Sequence, residues 1–280
     1  MAYSERITRD NPSCIVFLVD QSSSMSKGFG AQPGKKKADG VADPINKLLQ
    51  TLCIRCGRAD GIYDYLEIGV IGYGQHVQPA LGGALAGREL ISIGELAAQP
   101  LRVETREKLI DDGVGGILKR QVVFPIWFEP TAAGKTPMRE ALELAGEWVS
   151  EFLTRRPNCF PPQVINLTDG ESNDDPFAAA NALKQLHSSD GNVLLWNAHL
   201  SELKEPEILF PDQEQGLPNE FAKTLFRMSS ALPPSLIELA RQDEFDVGSQ
   251  SRAFVFNADL VAMIRFLDFG TLRTVGGNTR

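Results

Sequence analysis

Short, almost wholly apolar runs that alternate with helical patterns are the feature that most constrains this fold. Four of them have strand length: "CIVFLVD" (14–20), "YLEIGVIGYG" (65–74), "PQVINLTDG" (162–170) and "NVLLWNAHL" (192–200). Runs with so little polar alternation are typical of strands that are covered on both faces, as in parallel sheets. We therefore predict an α/β fold, a doubly wound and mostly parallel sheet with helices on both faces.

Helical patterns lie between these runs. Residues 37–58 carry an apolar stripe at helical spacing and predict a helix. Residues 136–153, "TPMREALELAGEWVSEFL", predict a second one. There we expect Thr136 to act as the cap and Pro137 to lie in the first turn, because these residue types suit those positions.

A shorter segment suggests how the sheet ends. "HVQPAL" (76–81) contains Pro79, which cannot donate to a central ladder, so we predict one antiparallel edge strand there. We find no internal repeat and no linker that would divide the chain. The prediction is a single domain over 1–280, with insertions at about 82–134 and 201–219.

Charge and hydropathy exclude two classes of partner. The net charge is −8, so the chain lacks the surplus of Lys and Arg that general nucleic-acid binding needs. The longest basic run, Lys35–Lys37, lies in a Gly-rich stretch and is predicted to be a solvated loop. The first residues carry both charge signs, and no apolar run approaches the roughly 20 residues that span a bilayer. We therefore expect a cytoplasmic protein with no membrane contact.

The cysteines and histidines show no zinc-site spacing. Cys53 and Cys56 form a C-x-x-C within the helix predicted over 37–58, but a zinc site needs a second matching pair. The other thiols and the imidazoles are scattered along the chain: Cys14, Cys159, His76, His187 and His199. Cys53 and Cys56 are predicted to be structural thiols that face the core.

Two of the apolar runs end on an acid. Asp20 ends the first, and Asp169 ends the run over 162–170. In a doubly wound sheet, ligands bind beyond the carboxyl ends of the strands where the strand order reverses, and in the common order these two strands are neighbours there. Thr136 opens the helix between them, so its hydroxyl should face the same crevice. Ser22 and Ser24 follow Asp20 in alternation, which turns both towards one point.

The chemistry of this set predicts a hard divalent ion. Two carboxylates and three hydroxyls are hard oxygen ligands that suit Mg²⁺, Mn²⁺ or Ca²⁺ and not zinc, and we favour Mg²⁺. Hydroxyls are weak ligands and leave the ion with residual positive charge. An ion with an open position should then attract an Asp or Glu carboxylate from a protein partner.

These residues resemble a known family. Asp20 to Ser24 match the D-x-S-x-S motif of von Willebrand factor type A domains. Thr136 in "AGKTPM" and Asp169 in "LTDGES" are similar to the other two parts of that family's metal-ion-dependent adhesion site. The resemblance implies that Ser22, Ser24 and Thr136 coordinate the ion directly, that Asp20 and Asp169 act largely through water, and that a partner supplies a carboxylate.

The resemblance implies a non-enzymatic, metal-dependent protein-interaction module. The layout is most similar to small intracellular bacterial members, including those encoded beside tellurite-resistance-type stress genes, which suggests a stress or regulatory complex. Two alternatives stay open, an adaptor subunit for an ATPase motor and a Mg²⁺-dependent phosphohydrolase with Asp20 as nucleophile. Against the phosphohydrolase, Ser22 stands where a second carboxylate is expected. We also expect the crevice to hold no His, and no further carboxylate except Glu171.

An aromatic segment precedes the Thr136 loop. "VVFPIWFEP" (122–130) contains Phe124, Trp127 and Phe128. These rings could cover the sheet as part of the core. Alternatively, at least one of them could lie exposed near the metal and contact the partner, since adjacent residues of an extended segment point to opposite faces.

Overall fold

A mixed sheet organises the part of the chain that this computed structural model describes, which is residues 3–29, 32–111, 117–169, 172–200, 206–258, 265–266 and 268–269. Within those residues the sheet has eight strands. Their bounds are β1 Ser13–Asp20, β2 Leu66–Tyr73, β3 Val77–Pro79, β4 Ile91–Ser92, β5 Gln163–Thr168, β6 Leu194–His199, β7 Ile208–Leu209 and β8 Phe254–Phe256.

The strand order is β7-β8-β6-β5-β1-β2-β3, and β4 also pairs with β2. β1 pairs in parallel with β2 on one side and with β5 on the other. β6 and β8 continue the parallel part, while β3 and β4 run antiparallel to β2, and β7 antiparallel to β8. The predicted doubly wound, mostly parallel sheet is confirmed. β3 is the predicted edge strand, and β4 and β7 add antiparallel pairs that we did not predict.

Helices cover both faces of the sheet. Their bounds are α1 Lys37–Cys56, α2 Ile93–Ala98, α3 Met138–Arg155, α4 Phe177–Gln185, α5 Glu220–Met228 and α6 Pro234–Gln242. The side chains of β1 point alternately to the two faces of the sheet, and each face packs against its own buried apolar cluster. Ile15, Phe17 and Val19 pack in the cluster that contains the apolar stripe of α1, and Val16 and Leu18 pack in the cluster that contains α3. A strand whose two faces are both buried reads as one continuous apolar run.

The start of α3 differs from the prediction. The residue that precedes the helix is Pro137, and no side chain caps its first turn. Thr136 therefore does not cap α3. Its backbone N–H instead donates to Asn173 Oδ1 at 2.6 Å, and its carbonyl accepts from the Asn173 backbone N–H at 3.2 Å. Thr136 belongs to a loop–loop contact, which no local capping pattern could reveal.

The segment 82–134 contains α2 and a long hairpin. Arg102–Asp111 pairs antiparallel with Ile117–Ile126. Directly after Ile126, Trp127 and Phe128 both enter the core. Phe124 is also buried, under the Arg106 guanidinium at 3.8 Å from its ring.

All three rings of the segment are therefore buried, and the alternative of an exposed ring beside the metal is wrong. Pleat alternation does not apply to Trp127 and Phe128, because the strand has ended. Both backbone N–H groups donate to Asn46 Oδ1, at 2.8 and 3.1 Å. The Trp127 indole N–H donates to the Leu96 carbonyl at 2.6 Å.

Two further expectations concern the cysteines and the chain's last part. Cys53 and Cys56 are buried and unbridged, as are Cys14 and Cys159, so the interpretation of the C-x-x-C pair as core thiols is confirmed. The apolar pattern of 258–269, "ADLVAMIRFLDF", also predicts a helix, but this segment lies mostly outside the described residues, as does 201–205 of the second predicted insertion. No helix in the described ranges is both long and apolar enough to cross a bilayer.

Replacing Trp127 with Ala should lower the free energy of unfolding by about 3–5 kcal/mol, because it leaves a large cavity and removes the donor to Leu96. Urea denaturation measures this change as a shift of the midpoint. Val123 is 62% exposed in the same hairpin, so Val123→Ala is the matched control and should change stability by no more than about 0.5 kcal/mol. Equal effects of the two variants would contradict the core placement.

Candidate metal centre

The serine loop begins where β1 ends. Asp20 is 1% exposed, and both of its carboxylate oxygens accept hydrogen bonds. Oδ1 accepts from the Ser22 backbone N–H at 2.8 Å, and Oδ2 accepts from the Thr168 hydroxyl at 2.7 Å. Desolvation, together with the negative charge of Asp169, raises the pKa of Asp20 to about 6, against the lowering effect of these hydrogen bonds.

The two serines of the motif converge. Ser23–Ser26 forms a single 3₁₀ turn, anchored by the buried side chain of Met25. The Ser22 and Ser24 hydroxyl oxygens lie 2.8 Å apart. Ser23 is exposed, and its backbone N–H donates to the Gly134 carbonyl at 3.1 Å. Ser22 and Ser24 therefore meet at one point as expected, but through a 3₁₀ turn and not through the alternation of an extended chain.

The Thr136 loop is joined to its neighbours on both sides. Ala133 N–H donates to the Gln21 carbonyl at 2.6 Å, which ties it to the serine loop. Thr136 itself is buried and is bonded through its backbone to Asn173, in the loop that follows Asp169. Asn173 is a site residue that our sequence reasoning missed. The sequence signal that could have identified Asn173 is its position in the polar loop that begins with Asp169, directly after β5.

Two glycines let these loops approach closely. Gly134 has φ +86°, and a Cβ there would overlap the backbone nitrogen of Gln75. A Cβ on Gly74 would lie 2.6 Å from the carbonyl oxygens of both Ala133 and Gln21. Gly74 thus occupies the point where the end of β2, the serine loop and the Thr136 loop meet. The sequence signal that we did not use was a glycine directly after a strand.

Asp169 is buried beside a lysine that we misassigned. Lys37 Nζ lies 3.2 Å from Asp169 Oδ2, and their side chains are 5% and 4% exposed. The prediction that Lys35–Lys37 is a solvated loop is therefore wrong for Lys37, which begins α1 and enters the interior. Asp169 Oδ1 is also buried and has no hydrogen-bond partner among the described residues.

A histidine also reaches this region. His199 is the last residue of β6 and pairs in register with Thr168. It hydrogen-bonds to the backbone of Asp169. Its ring stacks on Phe256, with ring centroids 4.9 Å apart. Burial lowers the pKa of His199 to about 4. The expectation of a crevice without His is therefore wrong. His199 shows the same sequence signal as Asp169, a polar residue at the carboxyl end of a buried strand. Glu171 lies outside the described residues.

Polar side chains also connect the strands beneath the site. The Tyr73 hydroxyl donates to Asn166 Oδ1 at 2.6 Å, and Asn166 Nδ2 donates to Asn197 Oδ1 at 2.9 Å. Asn197 Nδ2 in turn donates to the Ser229 hydroxyl at 2.9 Å. Buried polar networks of this kind resist sliding of the strands, since any shift would leave several polar groups unpaired.

The residues fit a hard cation. The fold places Asp20 and Asp169 on neighbouring strand ends and brings the Ser22 and Ser24 hydroxyls together, with the Thr136 loop bonded to both sides. The buried, unpartnered Oδ1 of Asp169 is an acceptor that a cation or its water would satisfy. In the described part of the chain, this crevice included, no three His, Cys, Asp or Glu side chains gather around one point, so an ion held here would depend on hydroxyl ligands.

Comparisons with known proteins show distant structural likenesses. No family model and no curated protein matches the chain. Among solved structures, manganese-loaded TRAP protein of Plasmodium vivax is 19% identical with a TM-score of 0.41, and the match covers 95% of this chain and 76% of that one. Proximal thread matrix protein 1 of the mussel byssus is 15% identical with a TM-score of 0.45, over 92% of this chain and 48% of that one. The type V pili tip protein Mfa5 of Porphyromonas gingivalis is 12% identical with a TM-score of 0.34, over 58% of this chain and 20% of that one.

We expect Gly74→Ala to force the serine loop away from the Thr136 loop, because the new methyl group meets two backbone oxygens that cannot move independently. The expected loss in the free energy of unfolding is about 1–3 kcal/mol, measured by urea denaturation.

Gly146 in α3 provides the matched control, since nothing lies within 4 Å of the position that its Cβ would take. Gly146→Ala should raise stability by about 0.5–1 kcal/mol, as expected for a helix interior. Stabilisation by both variants would show that the loops do not meet at Gly74.

Proposed function

We propose that this chain is a protein-interaction module of the von Willebrand factor type A kind, which holds one divalent ion and binds a carboxylate of a protein partner. Ser22, Ser24 and Thr136 would hold the ion, with Asp20 and Asp169 close by. The observation that carries the proposal is the convergence of two buried acids, at the ends of adjacent parallel strands, with the paired serine hydroxyls.

The charge balance of the site supports a carboxylate as the partner group. Hydroxyl ligands bring no negative charge, and the positive charge of Lys37 offsets one of the two nearby acids. A divalent ion held here would keep unbalanced positive charge and act as an electrophile for an Asp or Glu side chain. Mg²⁺ fits hard oxygen ligands of this kind, and Mn²⁺ and Ca²⁺ share the preference.

The same geometry argues against the phosphohydrolase alternative. Asp20 is the expected nucleophile, yet both of its oxygens accept hydrogen bonds and the side chain is enclosed. His199 is the imidazole beside Asp169, and its depressed pKa leaves it a weak base inside an apolar stack with Phe256. These features support binding over catalysis.

The four buried, unbridged thiols agree with a reducing compartment. We place the module in the cytoplasm, as part of a stress or regulatory complex, and this assignment rests on the resemblance of its motifs to intracellular members of the family.

The folded protein should bind one Mg²⁺, Mn²⁺ or Ca²⁺ per chain, and Ser24→Ala should weaken that binding by about 10-fold or more. Isothermal titration calorimetry measures both. Ser23→Ala is the matched control, because Ser23 lies between the two proposed ligands, is exposed, and uses its backbone to bond Gly134. Absence of binding for all three ions by a folded sample would eliminate the proposed function.

Partner binding should depend on the same ion. A partner that the immobilised protein retains in Mg²⁺ should elute when EDTA is added. Immobilised Asp20→Ala should not retain this partner, whereas immobilised Ser23→Ala should retain it. Replacing the partner's contacting Asp or Glu with Asn or Gln should abolish retention. A partner that binds equally in EDTA and to Asp20→Ala would use another face of the protein.

A further inference from the structure

We propose that Lys37 is a tethered cation that competes with the divalent ion for Asp169 and thereby sets the metal affinity of the site. This inference rests on the proposed function, since it requires that the site binds an ion. Lys37 lies outside the set formed by the D-x-S-x-S motif, Thr136 and Asp169. The inference gives Lys37 the role of a residue that determines the metal affinity.

The placement of Lys37 depends on long-range contacts. Lys37 begins α1, and its backbone N–H donates to the Lys27 carbonyl at 3.0 Å. Its side chain reaches the end of β5, where Nζ lies 3.2 Å from Asp169 Oδ2. The two residues are separated by 132 positions in the chain, so the fold and not local sequence brings them together.

Lys37 stands in an electrostatically unfavourable position that Asp169 compensates. A lysine at the first position of a helix faces the positive end of the helix dipole. A lysine whose side chain is 5% exposed also loses most of its hydration. A buried carboxylate at ion-pair distance offsets both costs, and removing one member of such a pair leaves the other charge buried and uncompensated.

Asp169 would therefore serve two cations. Its Oδ2 faces the ammonium group, while Oδ1 has no hydrogen-bond partner in the described part of the chain. An ion near Asp169 would be repelled by the ammonium at short range in a poorly solvated site. Either Lys37 moves away when the ion binds, or the ion binds more weakly against a fixed charge. In both cases Lys37 lowers the metal affinity, and the coupling is reciprocal, so the ion must also weaken the hold of Asp169 on Lys37.

The first experiment compares Mn²⁺ affinity by titration calorimetry in wild type, Lys37→Met and Lys36→Met. Methionine keeps most of the side-chain volume and removes the charge. Lys37→Met should bind Mn²⁺ about 10-fold more tightly, within the usual range of couplings between sites. Lys36 is adjacent and exposed, so Lys36→Met removes the same charge and should leave the affinity unchanged. Equal or weaker binding by Lys37→Met would overturn the inference.

A second measurement needs no variant and remains valid if Lys37→Met fails to fold. Wild-type protein is treated with an amine-acylating reagent in EDTA and in saturating Mn²⁺, and the modified lysines are quantified by mass spectrometry. Lys37 should be protected in EDTA and more reactive in Mn²⁺, with Lys36 as the internal reference. Unchanged or stronger protection of Lys37 at saturating Mn²⁺ would contradict this reciprocal effect and would overturn the inference.

The outcomes separate this inference from the proposed function. If wild type and Lys37→Met bind Mn²⁺ equally, the metal site stands and the role of Lys37 is wrong. If neither binds any divalent ion while both are folded, both proposals fail. If Lys37→Met binds and wild type does not, Lys37 holds the site closed, which is the strongest form of the competition.

Discussion

The parallel pairing of β1 with β5 is the contact on which the rest of the site depends. Both strands are buried on two faces, and their register, from Ile15 opposite Gln163 to Val19 opposite Leu167, sets where each one ends. Because parallel strands end at the same edge of a sheet, the acids that follow them come together. The next strand in the chain, β2, pairs with the other side of β1. The strand order therefore reverses between β1 and β5, at this edge of the sheet.

Buried acids at such an edge need compensation, and the two acids obtain it differently. Asp20 accepts the backbone N–H of Ser22, in the loop that follows β1, and the hydroxyl of Thr168, the last residue of β5. Asp169 faces the ammonium group of Lys37, the first residue of α1. Desolvation would otherwise penalise both charges heavily. The site therefore depends on α1 as much as on the strands, although the recognised motif contains no residue of that helix.

Close backbone approach is the second requirement. Gly74 and Gly134 allow three loops to hydrogen-bond across distances that a Cβ would prevent. The segment 82–134 contributes at a distance. Its hairpin leads into Trp127 and Phe128, which lie in the core, and their backbone N–H groups donate to Asn46 of α1. By this path the hairpin helps to fix α1, the helix that carries Lys37 to Asp169.

The sequence by itself determined the layers of the fold and the members of the proposed ion-binding set. Runs such as "CIVFLVD" specify doubly covered strands because burial on both faces removes polar alternation, and polar residues at their carboxyl ends specify where a ligand can bind. Only the tertiary structure decided the environment of Lys37, His199, Trp127 and Thr136. Local pattern places a lysine run in solvent, an aromatic pair on opposite faces and a threonine at a helix cap. Contacts between residues far apart in the chain overrule each of these preferences, because the energy of burying or pairing a side chain exceeds the few tenths of a kcal/mol to about 1 kcal/mol that local propensities provide.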